Sequence, residues 1–300
     1  MNIFNFFKRR PILNDGAVNI YETRHGRMAH FSSDQCIGKS LEIYGEWAQD
    51  EIALLRNFIL PGSTVIDLGA NIGVHTLAFA RIVGPSGRVI AIEGEPSTFG
   101  VLSYNVVANQ MTEIVTAVPA VVGAVEALVP HEFRPPSENV GAMSFYGQVN
   151  SRANIGKPTK LSTKLPLITV DGLGLDVCHA IKIDVEGMEL DALMGAEKTL
   201  REFRPVVYFE HASGNKEELG KIIIFLQGLG YCMWWHVSNP FNRRNIRAEK
   251  KNIFGGLVEI NVLALPDGMR PPVSLPPLTD PDQPPPRPSL EVGLPGVAVD

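Results

Sequence analysis

The stretch Thr64 to Thr76, TVIDLGANIGVHT, constrains this chain most, because it reads as a buried strand running through a glycine turn straight into a helix. Such a junction brings backbone against a small ligand. The dinucleotide form of it, G-x-G-x-x-G, needs its second glycine so that backbone can press on a pyrophosphate. Asn71 stands in that second place, and Gly73 follows Gly69 by four residues instead of five. The turn is therefore poorly built to cradle phosphate and better suited to a ligand without one.

The apolar run Arg88 to Glu93 ends in an acid twenty residues beyond Gly73. A carboxylate at that place accepts hydrogen bonds from both hydroxyls of a ribose. A ribose without a pyrophosphate points to S-adenosylmethionine. NAD would use the same acid, so Glu93 alone does not separate the two cofactors; the missing glycine separates them better.

Apolar strand-like runs alternate with helical patterns over most of the chain, the signature of a parallel sheet covered on both faces. Expected strands are 64–68, 88–93, 114–118, 180–184, 205–210, 231–236 and 257–264, with helices 50–60, 72–83, 97–109, 188–202 and 216–229. Ser97 is the expected cap of the third helix. The last two strands follow each other without a helix, so an antiparallel hairpin is expected at one sheet edge. The fold class is α/β: a Rossmann-like three-layer sandwich around a mostly parallel seven-stranded sheet with one antiparallel edge strand. Ligands of such sheets lie beyond the carboxyl ends of the strands. Residues 122–166 break the rhythm, with short strand-like pieces at 127–133 and 142–146, and read as an insertion over the sheet.

The expected domains are an N-terminal extension (1–43), a catalytic domain (44–265) and a disordered tail (266–300) holding eleven of the 23 prolines. A length of 300 residues, 45% apolar, suits one such domain with tails. The formal charge of −5, with acids and bases interspersed, offers no basic stripe for nucleic acid. Cys36, Cys178 and Cys232 lie far apart and form no C-x-x-C pair, which argues against disulfides and zinc and for a reducing, cytoplasmic compartment. No apolar run approaches the roughly 18 residues of a membrane span. Three phenylalanines before Lys8-Arg9-Arg10 leave two readings of the N-terminus: a weak peripheral contact with an anionic membrane, or a frayed tail.

The second dense motif is Ala180 to Glu189, AIKIDVEGME, where strand alternation sets Lys182 and Asp184 on one face. Two charges among apolar neighbours must find partners. The next strand ends in Glu210-His211, so Asp184 and Glu210 are expected to converge above neighbouring strand ends. Asp184, Glu210 and Lys182 are the catalytic candidates; the alternative for Lys182 is a salt bridge that only fixes the turn. His211 is a further candidate base, and His75 is expected near Asn71. Glu189 and Asp191 are expected on a solvated helix face. The acids Asp184, Glu186 and Glu210 would also suit a divalent magnesium or calcium ion.

Val65 to Gly73, the strand ending in Glu93, Leu102 with Asn105 and Asn109, Asn139-Val140-Gly141-Ala142 and Lys182 to Glu189 together resemble the FkbM-type family of class I S-adenosylmethionine-dependent methyltransferases, over roughly residues 44–266. The resemblance implies methyl transfer, most often to an oxygen of a sugar, glycan or other secondary metabolite. It implies cofactor contacts from Asp67, Gly69, Asn71, Gly73 and Glu93, with Asp67 toward the cofactor's ammonium or, alternatively, only organising the turn. Glu93 is followed by Gly94-Glu95-Pro96 where the family places proline directly after the acid, which makes Glu95 a rival ribose ligand. The competing readings are a nicotinamide-dependent oxidoreductase and a binding protein that keeps the fold without turnover.

Overall fold

A computed structural model describes residues 12–14, 16–132, 162–211 and 215–286. Its centre is β4 (Thr64–Leu68), the strand that feeds the glycine turn, and all five of its residues are buried. Parallel strands flank it: β5 (Arg88–Glu93) and then β6 (Val115–Pro119) on one side, β10 (Ala180–Ile183) and then β11 (Val206–Glu210) on the other. A strand buried on both faces reads as a continuous apolar run, as β4 and β5 do.

Beyond β11 the sheet reverses. The strand β13 (Glu259–Pro266) pairs antiparallel with β11 and also with β12 (Tyr231–Ser238). The reversed strand is therefore interior, with β12 outside it, which corrects the expected edge position. A short β14 (Pro277–Leu278) then pairs antiparallel with β12 and makes the sheet eight-stranded, in the order β14-β12-β13-β11-β10-β4-β5-β6. Leu278 is 1% exposed, and Val273 and Leu275 pack on the core, so the fold continues past Leu265 into the proline-rich segment. Proline suits this place because an edge strand can lack a ladder donor.

Helices α2 (Gln49–Leu55), α3 (Val74–Val83) and α4 (Pro96–Ala108) cover one face. Helices α5 (Glu189–Met194), α6 (Glu197–Phe203) and α7 (Lys216–Gly228) cover the other. The single helix expected over 188–202 is thus two: the chain breaks at Gly195, whose Cα abuts the Gly123 carbonyl. The cap of α4 is Glu95 with Pro96 in its first turn, and Ser97 Oγ instead lies 3.1 Å from Glu95 Oε1. Within 122–166 the described part is a small sheet of β7 (Val121–Val122), β9 (Ser162–Ile168) and β8 (Ala127–Glu132). The expected strand at 142–146 and the segment Asn139 to Ala142 lie outside the described residues, as do residues 1–11.

Ahead of these elements, β1 (Leu13–Asn14), β2 (Val18–Thr23) and β3 (Gly26–Phe31) form an antiparallel sheet that leads into α1 (Ile37–Ile43). Ile20, Met28, Ala29, Phe31 and Leu41 belong to the same core as the first helical layer, so a boundary at residue 44 separates no second core. The free edge of β3 is satisfied by Asn105 of α4 and by Asn109, the residue that caps its carboxyl end. Asn105 Oδ1 accepts from Ala29 N at 2.7 Å and its Nδ2 donates to Ala29 O at 3.0 Å and Ile72 O at 2.8 Å. One turn later Asn109 repeats the exchange with Arg27, accepting at 3.0 Å and donating at 2.7 Å. Asparagines at i and i+4 on a helix thus meet backbone at i and i+2 on a strand. Asn105→Ala leaves three buried backbone groups unpaired; we expect a loss of about 2–5 kcal/mol, read by urea denaturation. A loss under about 1 kcal/mol would mean that water replaces the amide.

Candidate active site

A cleft of about 60 Å³ that opens to solvent lies at the carboxyl ends of β4, β5 and β10. Its wall includes Gly69 and Asn71 from the glycine turn, Glu93 to Glu95 from the end of β5, Ala120 to Val122, and Asp184 to Glu186 with Met188 from the end of β10.

The glycine turn is shaped by its neighbours. Gly69 has φ +71, and a Cβ there would stand 1.7 Å from the Asp184 carbonyl oxygen. The turn and the end of β10 therefore touch backbone to backbone. Asn71 also has positive φ (51), a conformation asparagine tolerates, and its N–H donates to Glu93 Oε2 at 2.9 Å. Glu93 Oε1 accepts from Glu95 N at 2.7 Å, so one carboxyl group ties β5 to the glycine turn. Burial pushes the Glu93 carboxyl up to about 7, against these two backbone donors. Glu95 is turned inward, 2% exposed.

Two residues expected at the cofactor do not line the cleft. Gly73 sits behind the turn against Leu102 of α4. Asp67 is fully buried, accepting from Thr76 Oγ1 at 2.6 Å and facing Lys182 Nζ at 3.7 Å. It holds the start of α3 against the sheet.

Lys182 is 5% exposed and donates to Asp184 Oδ2 at 3.0 Å. Burial alone would lower its ammonium; the charges of Asp184 and Asp67 more than reverse this. The Asp184 side chain is 37% exposed and reaches the cleft. Glu210 stands beside Asp184, and burial first, then the Asp184 charge, holds its carboxyl well above the usual range. Glu186 completes the cluster, with one oxygen from each of the three acids within 4.8 Å of the others. Three carboxylate oxygens so placed would suit a divalent cation. Glu189, expected on a solvated face, is buried instead and accepts from Val185 N at 3.2 Å and Gly187 N at 3.1 Å, fixing the turn after β10. Its carboxyl, like that of Glu186, is pushed by burial up to about 7.

Asp184 and Glu210 belong to a wider polar layer under α2 and α3. Its members sit at alternate positions near the ends of four strands: Lys182 and Asp184, Tyr208 and Glu210, Glu259 and Asn261, His236 and Ser238. Glu51 of α2 roofs them. It accepts from Ser238 Oγ at 2.7 Å and Asn261 Nδ2 at 3.1 Å, and lies 3.2 Å from His75 Nε2. Burial favours the neutral acid, yet His75 holds the Glu51 carboxyl low, and Glu259 is pushed up by burial and by the Glu51 charge. Tyr208 OH and His236 Nδ1 are 2.7 Å apart. His211, a candidate base, instead bonds Ile260 O through its backbone and packs its ring against Trp235, with burial lowering its pKa. His75 pairs with Glu51 and does not line the cleft.

The cleft sits on a Rossmann-like sheet with an interior reversed strand, a glycine turn after β4 and acids at the ends of β5 and β10. The model of the methyltransferase FkbM domain matches residues 67–233, and the chain belongs to that S-adenosylmethionine-dependent family. Among curated proteins, the methyltransferase sdnD of Sordaria araneosa is 27% identical over 180 residues, covering 52% of this chain and 68% of that protein. The ribosomal protein L11 methyltransferase of Chloroflexus aurantiacus is 33% identical over 75 residues, covering 25% of this chain and 22% of that protein. The crystal structure of the methyltransferase FkbM from Methylobacillus flagellatus aligns with a TM-score of 0.47 at 16% identity, covering 68% of this chain and 44% of that one. The chain thus spans about a fifth of the length of the Chloroflexus relative and under half of the Methylobacillus chain.

Proposed function

We propose that this chain transfers a methyl group from S-adenosylmethionine to a hydroxyl oxygen of a sugar, glycan or other secondary metabolite. The observation that carries the reading is Asp184, a carboxyl that reaches the cleft while Lys182 holds it from behind and Glu210 stands beside it. When bound, the donor supplies an electrophilic methyl carbon with a neutral thioether as leaving group. Rate then depends on alignment of the acceptor. An alcohol must lose its proton as it attacks, and Asp184 is the proton acceptor, with Glu210 as the alternative. Lys182 holds Asp184 in place. Glu93 receives the ribose hydroxyls, and Gly69 and Asn71 shape the backbone around the donor, with Asp67 and Gly73 acting from behind. The charge pattern supports a small-molecule or glycan acceptor over nucleic acid, and a cytoplasmic location is our expectation. No helix of the described residues is long and apolar enough to cross a membrane.

The test is calorimetric titration with S-adenosylmethionine and with NAD. The donor should bind and NAD should not. Glu93 is ionised only above about 7, and hydroxyls donate to the ionised form. Affinity should therefore weaken as pH falls below that value and level off about tenfold lower once the carboxyl is neutral. Glu93→Gln should weaken binding about tenfold at high pH and flatten this dependence. Binding of NAD alone, or affinity indifferent to Glu93, would sink the reading.

A further inference from the structure

We infer that the loop between β12 and β13, residues 239–258, docks on an anionic membrane surface. The loop holds five cations and a single acid, in a chain whose formal charge is −5. Arg243, Arg244, Lys250 and Lys251 are exposed, and none of these four side chains meets a carboxylate among the described residues. The one acid, Glu249, accepts at 2.9 Å from the backbone N–H groups of Lys250 and Lys251, not from their ammonium groups. Directly after the lysines the chain turns, with Asn252 Nδ2 donating to Gly255 O at 2.8 Å. Phe254 faces inward there, its ring edge-on to Trp47 with centroids 5.6 Å apart. Its neighbours Ile253 and Leu257 are exposed, so an aliphatic tip stands beside the cations.

The loop is held in shape by side chains beneath it. Tyr44 OH donates to Lys251 O and accepts from Ile253 N, each at 2.8 Å. Asn245 Nδ2 donates to Asn242 O and Glu249 O at 2.8 Å, and Glu46 accepts from Asn242 Nδ2 at 2.7 Å. A surface already ordered in this way loses little conformational freedom on binding. Its partner must suit both the cations and the tip. A nucleic-acid backbone would engage the cations and leave Ile253 and Leu257 in water. An anionic bilayer suits both: its surface charge raises partitioning about fivefold for each Lys or Arg brought near it, and the boundary between headgroups and acyl chains takes the aliphatic side chains. Since β12 and β11 both pair antiparallel with β13, β12 runs parallel to β11, and its loop leaves at the end of the sheet that carries the cleft. Docking turns that end toward the bilayer. Resting on the proposed methyl transfer, it favours an acceptor displayed at the membrane surface, such as a glycan carried on lipid, over one free in solution.

The experiment is co-sedimentation of the full chain with vesicles of phosphatidylcholine, alone or with about 30% phosphatidylserine, at about 0.1 M salt, where charges still act over about 10 Å. Binding should be at least about tenfold tighter to the anionic vesicles and should fade at about 1 M salt. Lys250→Ser with Lys251→Ser should weaken it about twentyfold, the product of about fivefold for each cation. Ile253→Ser with Leu257→Ser should weaken it about tenfold with the charge unchanged. Donor calorimetry should be the same for all three proteins, since neither pair lines the cleft. Equal binding to the two kinds of vesicle, or binding to neither, would overturn the proposal. So would binding to anionic vesicles that survives both double variants, which would assign it to Lys8-Arg9-Arg10. Loss through the lysines alone, together with equally tight binding to a DNA duplex, would overturn it too and mark a surface for polyanions. Failure of the donor to bind would remove the methyl-transfer reading, and with it the lipid-borne acceptor, while the vesicles still decide the docking.

Discussion

Gly69→Ala should abolish measurable donor binding, weakening it at least about a hundredfold, and should lower stability by about 2–4 kcal/mol. Two costs combine. The first is the positive φ of +71 at this residue, which an L side chain adopts only at about 1 kcal/mol or more. The second is larger: the new Cβ would stand 1.7 Å from the Asp184 carbonyl oxygen and 2.7 Å from its carbon, both backbone atoms that no rotamer change moves away. Relief requires the turn and the end of β10 to separate. They are coupled by Asp184 N donating to Leu68 O at 3.0 Å, and Gly69 N itself donates to Ile92 O at 3.0 Å. The separation would therefore displace Asn71, Glu93 and Asp184 together, on both sides of the cleft. Gly100→Ala is the control. Gly100 lies within α4 with nothing within 4 Å of its added Cβ, so alanine there should stabilise by about 0.5–1 kcal/mol. Thermal melts on the two variants should move in opposite directions and donor calorimetry should change for Gly69→Ala alone; Gly69→Ala binding donor normally would show that the cleft does not depend on this contact.

The sheet and the cleft were legible in the sequence wherever the signal is local. Thr64 to Leu68, Arg88 to Glu93 and Val206 to Glu210 announce themselves as short apolar runs bounded by glycine, proline or an acid, and the observed strands match them within a residue. Asp184 and Glu210 could be placed together because both end neighbouring parallel strands. The sheet's edge was not legible in the same way. Pro277-Leu278 adds a strand of two residues inside a proline-rich stretch, and only the exposed ladder of β12 makes that pairing favourable. Glu51 was invisible for a different reason. It lies on a helix that could bury one face without it, and its partners Ser238 and Asn261 are 187 and 210 residues away. A signal did exist in the strands: polar residues at alternate positions near their ends, at 182 and 184, 208 and 210, 236 and 238, 259 and 261. Period-two polarity inside apolar strands marks one face, and four such strands in one sheet mark a buried polar layer. The asparagines at 105 and 109 follow the same lesson, since they replace a missing strand at the edge of β3, a role that needs the tertiary fold to be defined.

Lys182→Met should lower stability by about 3–5 kcal/mol, a drop in melting temperature of roughly 6–20 °C for a domain of this size. Methionine fills much of the lysine volume, so the cost is electrostatic. Asp67 is fully buried, and once Lys182 is gone its Oδ1 faces no charge within reach; the Thr76 hydroxyl at 2.6 Å serves only the other oxygen. An isolated carboxylate at such a place takes up a proton or forces water in, and either disrupts the junction of β4 and α3. The double variant Lys182→Met with Asp67→Asn should recover most of the loss, because an amide can still accept from Thr76 and leaves no buried charge behind. That non-additivity distinguishes charge compensation from packing: if methionine merely packed badly, the second substitution would add to the damage. The double variant should nevertheless transfer methyl groups slowly, since Asp184 has lost the donor 3.0 Å away that fixes its orientation. Recovery of stability without recovery of turnover would identify Lys182 as a residue kept for the site, at a position where an apolar side chain serves the fold equally well. A single Lys182→Met variant within about 1 kcal/mol of the unaltered protein would show instead that the buried pair contributes nothing net.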